Sequence, residues 1–385
     1  MQKQTVAVIF GTRPDTIKLA PVINQLRTED RFFRVVTIAT AQHRQMLDQV
    51  LRVFGITPDF DLNIMQPRQT LADITKNTIQ ALDQVLAEVK PGMVLVQGDT
   101  TTTFVGSLAA FYRQIPVGHV EAGLRTNDKA NPFPEEINRR LTSAIADLHF
   151  APTEASRRAL LKENHARKNV FVTGNTVIDA LKASIRGDHH FSVHTLNELF
   201  KRRQRVVLIT MHRRENWGPP MEAAARAIRR IAERYHDHVL LFPLHLNPVV
   251  REVVHPVLAS LPNVVLTEPL DYLDFVNAMA RSYLVITDSG GVQEEGPSLG
   301  KPILVLREVT ERPEAVRYGT VKLVGLDEER IVATACRLLD SRSAYQKMAA
   351  ATNPYGDGFA ARRTVGIIKH YFGFSRRLPR EFVPR

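Results

Sequence analysis

Residues 284–306 read LVITDSGGVQEEGPSLGKPILVL: an apolar strand, a glycine turn, a short helix and a second strand. Residues 284–286 suit a buried parallel strand, and Asp288, Ser289, Gly290 and Gly291 then form a turn that only small residues allow. The spacing predicts a helix over 292–298 and a strand over 301–306. Free backbone N–H groups and the helix dipole at such a helix start attract an anion. Glu294 and Glu295 lie in the first turns, where a carboxylate accepts hydrogen bonds from a ribose. The segment therefore reads as a nucleotide-diphosphate site, although a plain β–α turn in an α/β sheet carries the same pattern.

The same alternation extends upstream. A strand over 205–211 ends in His212, Arg213 and Arg214, with no carboxylate nearer in sequence than Glu215, which favours phosphate contact for this histidine. Strands over 240–243 and 264–267 end in polar or irregular residues, Leu244 and His245 after one, Pro269 and Leu270 after the other. Phe275, in the next helix, suits either stacking on a base or core packing.

Nearer the start, a strand over 5–10 runs into Gly11, and a helix from Pro14 onward places Arg13 and Lys18 above the strand's C-terminal end. Ligands bind at that edge in open α/β sheets, and an arginine fork with a lysine point charge suits phosphate. A strand over 34–40 leads to the polar cluster Gln42, His43, Arg44 and Gln45, and Arg68 follows in a loop over 61–69. The next two strands, 93–97 and 115–120, deliver Asp99 and Glu121 to one sheet edge. A proline-stiffened loop, residues 131–136, adds Glu135 at a helix start. One strand-end carboxylate is ordinary; three on one edge favour acid–base chemistry.

Strands over 148–151 and 170–173 complete a first sheet, and a polar, histidine-rich stretch, 187–194, precedes the restart of the alternation. The fold expected is α/β: two Rossmann-like βα domains facing across a cleft. The first domain spans 1–173, joined by a C-terminal helix near 358–374 that crosses back to it; the second spans 174–357. The last ten residues are expected to fray.

Composition sets the limits. The chain of 385 residues is 44% hydrophobic and 24% charged, as in a globular protein. Its one cysteine, Cys336, excludes a disulfide framework and fits a reducing, cytoplasmic setting. No apolar run approaches spanning length, and no cleavage pattern follows the first strand, so neither membrane nor export is expected. The net charge of +11 is spread along amphipathic helices without aromatic interleaving, which argues for an anionic small molecule rather than nucleic acid.

Taken together, ten motifs resemble the non-hydrolysing UDP-N-acetylglucosamine 2-epimerases, two-domain relatives of the GT-B nucleotide-sugar glycosyltransferases. They stand here as FGTRPDTIKLAPV, AQHRQMLDQVL, GDTTTT, HVEAGLRT, PFPEEINR, TGNTVIDAL, HRREN, HLNP, TDSGGVQEEGPSLGKP and TERPEAV, in order from Phe10 to Val316. The resemblance implies interconversion of UDP-GlcNAc and UDP-ManNAc through elimination of UDP to 2-acetamidoglucal and re-addition on the other face. The C2 proton has no adjoining carbonyl, so direct abstraction would face a barrier of tens of kcal/mol.

The resemblance further implies that Asp99, Glu121, Glu135 and His212 act on the reaction. Arg13, Lys18, Ser289, Gly290 and Gly291 would meet the diphosphate, Glu295 the ribose, and Leu270, Phe275 and Arg312 the nucleotide. A second UDP-GlcNAc, an activator, would bind Gln42, Gln45, Arg68, Arg213 and His245. No cofactor or metal and a homodimer are implied. Three departures stand out: Asp15 replaces the family's usual glutamate, Gln97 stands where histidine is frequent before GD, and Leu270 occupies a position that is polar in some members. A GT-B glycosyltransferase, a hydrolysing epimerase and a nucleotide-sugar sensor remain the competing readings.

Overall fold

A computed structural model describes residues 2–40, 44–66 and 68–384, without the side chains of residues 44–46. It comprises two compact units, Met1–Lys182 with Tyr355–Val383, and Ala183–Pro354 with Pro384–Arg385. The boundary between them and the division drawn from sequence at residue 174 differ by one helix, Thr176–Ser184.

The first unit holds seven parallel strands: β1 (Gln4–Phe10), β2 (Phe33–Ala39), β3 (Phe60–Asp61), β4 (Met93–Gln97), β5 (Val117–Val120), β6 (Leu148–Ala151) and β7 (Val170–Val172). Their order is β3-β2-β1-β4-β5-β6-β7. Helices cover both faces, so the strands are near-continuous apolar runs rather than alternating ones. Val6, Val8 and Phe10 of β1 pack with Leu19, Ile23 and Leu26 on one face. Ala7 and Ile9 pack with Leu82, Val85 and Ala109 on the other. Each such side chain contributes about 2 kcal/mol when fully buried.

Because β2 and β4 flank β1 on opposite sides, the chain reverses its winding direction there. Ligands of open α/β sheets bind at such a reversal, and helix Arg13–Arg27 starts there. Thr12 caps it, Pro14 occupies its first turn, and Asp15 reaches back to the Thr12 amide at 2.7 Å.

The C-terminal helix Ala360–Tyr371 packs on helix Arg13–Arg27 in the first unit, as its apolar face requires. Asp179 accepts its first amides, from Ala360 at 3.1 Å and Ala361 at 2.8 Å. The expected fraying of the last ten residues is wrong through Phe382. The Phe382 N–H donates to the Val172 carbonyl at 2.9 Å and its ring is buried. Glu381 accepts from the Val172 amide at 3.0 Å and from Arg157 at 2.6 Å. A buried aromatic and a paired carboxylate tie down a tail that composition alone marks as loose.

The second unit repeats the winding with β8 (Val206–Thr210), β9 (Val239–Pro243), β10 (Val264–Thr267), β11 (Leu284–Thr287), β12 (Ile303–Val305) and β13 (Val321–Leu323). The order β10-β9-β8-β11-β12-β13 puts the reversal between β8 and β11. The strand β13, a three-residue edge centred on Lys322, is too short and polar to be read from sequence. The helix expected over 292–298 divides into an α-helical turn, Gly290–Glu295, and a 3-10 turn, Gly296–Leu299. Pro297 has no N–H to continue the first, and Gly300, at φ +63°, ends the second. The histidine-rich connector is held to helix Tyr272–Arg281 by buried Asp274, which accepts from His189 at 2.7 Å and from the Ser192 hydroxyl.

Candidate active site

In the first unit the site grows from the reversal point. Residues Asp99 and Glu121 follow the adjacent strands β4 and β5, so the parallel register sets them on one edge. The backbone of Glu121 has φ +65°, a conformation that side chains other than glycine rarely adopt and that needs support from its surroundings. Its carboxylate supplies that support. Oε1 pairs with Lys18 Nζ at 2.5 Å and accepts from Asn175 at 2.9 Å, while Oε2 accepts from Gln97. Lys18 thus stands where helix Arg13–Arg27 was expected to place it, and the Gln97 departure contributes a neutral amide donor.

Asp99 is held differently. The Arg139 fork places two nitrogens, Nε and Nη2, on Oδ2 at 2.9 and 2.6 Å, and Asn138 donates to the Asp99 carbonyl at 2.9 Å. Oδ1 carries no hydrogen bond from another described residue, so one oxygen is fixed and the other is open. Thr100 caps the following helix, accepting from the Thr103 amide at 3.2 Å. Thr100, not Asp99, is therefore the cap of that helix.

Glu135 begins helix Glu135–Ile145, and its Oε2 is buried without a hydrogen-bond partner among the described residues. Its neighbour Glu136 is fully buried and pairs with Arg139 and Arg140, both at 3.2 Å. The three acids thus occupy three environments: Glu121 saturated, Asp99 half engaged, Glu135 with an orphan oxygen.

Two further groups frame this edge. Asp15 accepts from the amides of Gly11 (3.0 Å), Thr12 and Thr16 (3.0 Å), and burial nevertheless pushes its carboxyl up to about 6. It closes the loop after β1 on itself, which leaves Arg13 partly exposed at the helix start. His119, buried in β5, lies 2.8 Å from the Gly98 carbonyl and supports the turn that carries Asp99. Burial lowers its imidazole to about 4, so it is neutral at pH 7.

The second unit's residues also gather at the reversal of strand order. Asp288, fully buried after β11, reaches across to the loop after β8. Its Oδ2 accepts from the amides of His212 and Arg213, both at 2.9 Å, and from Asn216 at 3.1 Å. Its Oδ1 lies 3.0 Å from His212 Nδ1. Glu215 is the nearest carboxylate in sequence, but in the fold the partner of His212 comes from another strand end. Burial pushes the Asp288 carboxyl up, but His212 and the two amides outweigh it and hold it below the usual range. His245 stacks on His212 with centroids 5.9 Å apart, and its own imidazole is lowered by burial and by the His212 charge.

The turn after Asp288 needs glycine for space. A Cβ on Gly290 would stand 2.8 Å from Arg312 Nη1 and 3.4 Å from Arg213 Nη2. Two guanidinium groups thus converge on one turn amide, which suits an anion. Arg312 is anchored by Glu294 at 2.6 Å, and Glu295 is buried beside it in sequence. Ser289 is half-buried and Gly291 exposed. Leu270 is buried, and Phe275 is half-buried on its helix.

Of the activator residues, His245 stacks on His212, Arg213 follows His212 in sequence and shares Asp288 with it through its amide, and Arg68 adopts φ +60° in a loop of the first unit. Gln42 lies outside the described residues, as does the side chain of Gln45. Sequence reasoning missed Arg139, Asn138 and Asn175, and assigned Asp288 only to a turn. The PFPEEINR and TGNT motifs contain the first three, but nothing in their spacing shows which acid each one meets.

The family model for UDP-N-acetylglucosamine 2-epimerase matches residues 25–369. A Bacillus subtilis UDP-N-acetylglucosamine 2-epimerase is 54% identical over 382 residues, 99% of each chain. An Escherichia coli K12 protein of the same name is 52% identical over 371 residues, 95% of this chain and 98% of that one. The crystal structure of Neisseria meningitidis UDP-GlcNAc 2-epimerase bound to UDP-GlcNAc is 48% identical. Its TM-score is 0.85, covering 96% of this chain and 100% of that one.

Proposed function

The chain belongs to the UDP-N-acetylglucosamine 2-epimerase family, and from that premise we propose that it interconverts UDP-GlcNAc and UDP-ManNAc without hydrolysis. In this reading a base takes the C2 proton while the C1–O bond breaks and its electron pair leaves with UDP, giving 2-acetamidoglucal. Return of a proton to the opposite face of C2 and re-addition of UDP at C1 give the epimer. Nothing is consumed, so the reaction is reversible.

One observation carries the proposal: the three acids of the first unit differ in how they are partnered, as proton exchange at two faces requires. Asp99, with one oxygen clamped by Arg139 and the other open, suits proton transfer at one face. Glu135, with a buried orphan oxygen, suits the other. Glu121, fully engaged, fixes Lys18 for the diphosphate. Charge on the departing diphosphate falls to Arg13, Lys18, His212 and the Ser289–Gly290–Gly291 turn. Arg312, Phe275, Leu270 and Glu295 bind the nucleoside, and Arg213 and His245 extend to an activator UDP-GlcNAc.

A homodimer is part of the same reading. Phe111 and Tyr112 are 58% and 65% exposed at the end of helix Thr101–Tyr112, and Leu141 is exposed on the adjoining helix Glu135–Ile145. Apolar side chains clustered on packed helices favour burial against a second copy.

A proton-NMR time course in deuterated water, with UDP-GlcNAc as sole substrate, tests the activity. UDP-ManNAc carrying deuterium at C2 is the expected product. Free N-acetylmannosamine would show hydrolysis instead, and an unchanged spectrum would leave a transferase or sensor.

A further inference from the structure

Within the first unit, a cavity of about 350 Å³ shares no lining residue with Asp99, Glu121 or Glu135. One wall is a single face of helix Glu154–Lys162, built by Ala155, Arg158, Ala159 and Lys162 at i, i+3, i+4 and i+7. The facing wall is the loop at Arg125 and Asn127 together with Arg140.

The charges in this cavity do not balance. Arg125 is satisfied: Nε and Nη2 both meet Glu163 at 2.8 Å. Arg158 and Lys162 are exposed neighbours at i, i+4, a like-charged pair that disfavours the helix, and neither bonds to another described residue. Arg140 reaches Glu136 at 3.2 Å, but Arg139 claims the same buried carboxylate. Besides the Arg125–Glu163 pair, which also lines it, three cations therefore border the cavity and share only part of Glu136 between them, and two alanines make a small apolar floor.

We propose that this cavity binds a phosphorylated small molecule, its phosphate or diphosphate held by Arg140, Arg158 and Lys162 and its body resting on Ala155 and Ala159. A planar fork and a point charge together match phosphate oxygens, and the volume is that of a small-molecule pocket. The site is linked to the chemistry. Glu136 accepts the Thr126 and Asn127 amides at 3.0 and 3.2 Å and is shared by Arg140 and Arg139, and Arg139 holds Asp99. An anion that draws Arg140 away changes how Glu136 divides its charge, and with it the grip on Asp99.

Inorganic pyrophosphate titrated calorimetrically into the full chain saturated with UDP is the test, on the wild type and on an R158A/K162A variant. The expected result is one pyrophosphate per chain in the wild type. In the variant its affinity should fall tenfold or more, with UDP affinity unchanged and the thermal midpoint not lowered. No uptake under UDP saturation, equal affinity in the variant, or uptake of several anions that vanishes in 0.15 M salt would each overturn the proposal. The readout is binding rather than turnover, so failure of the epimerase reading would leave this test standing.

Discussion

Asp288 and His212, 76 residues apart, meet across the reversal point of the second sheet, with carboxylate Oδ1 3.0 Å from imidazole Nδ1. The contact orients the ring and leaves Nε2 as the nitrogen available to a ligand. An Asp288→Asn variant keeps the shape but loses the charge. Its kcat/KM should fall at least tenfold, about 1.4 kcal/mol, because the ring loses the carboxylate that orients it. An unchanged kcat/KM in a folded variant would remove Asp288 from the reaction.

The Arg139 clamp on Asp99 predicts a second loss. A lysine cannot place two nitrogens on one carboxylate in fixed geometry. Arg139→Lys should therefore lower kcat by about 10²-fold, the scale of a misplaced reacting group, with KM little changed. A rise in KM alone would assign Arg139 to binding.

At Gly290 a methyl group would press on Arg312 Nη1 at 2.8 Å and Cζ at 3.2 Å. Gly290→Ala should weaken UDP binding by about tenfold, the cost of one displaced charged contact. Fold stability should change little, because the displaced group is the end of a flexible side chain. Calorimetric titration with UDP reads this directly.

The stability of the chain toward acid follows from four buried groups. His119 and His149 are lowered from 6.5 to about 4 and about 3 by burial, so the unfolded chain takes up protons that the folded chain refuses. Stability therefore falls as pH drops from 6.5 toward those values. Asp15 and Asp179 act oppositely. Burial raises both from 3.8 to about 6, so the folded chain binds protons first and stability rises between pH 6 and 3.8. His149→Phe removes one histidine penalty, and no hydrogen bond from His149 is lost. The variant should gain about 2–3 kcal/mol over the wild type at pH 4.5 relative to pH 7, read from urea midpoints. A constant difference across that range would refute it.

The C-terminal tail gives a structural test. Phe382 is buried and its amide bonds to Val172. Phe382→Ala should cost about 3 kcal/mol, seen as a lowered unfolding midpoint. A shift of a few tenths would mean that the tail detaches.

Much of the fold was legible in the sequence because parallel strands covered on both faces must be apolar throughout. Strands β4, β6 and β10 fall where the apolar runs put them. The short edge strand β13 did not show, since three residues with a central lysine carry no period. The identity of the polar residues at strand ends was equally visible: Asp99, Glu121, His212 and the Asp288 turn all follow buried runs.

What the sequence by itself determined is therefore a set of strand ends and the chemical groups placed there, since pattern and turn residues are local properties of the chain. Only tertiary structure decided which groups are already spoken for. Glu121 is bound by Lys18 and Asn175, Asp99 by Arg139, His212 by Asp288, and Glu135 keeps an oxygen unpartnered among the described residues. Those pairings join residues tens of positions apart through strand order and loop path, and no local spacing encodes which side chain will reach which charge.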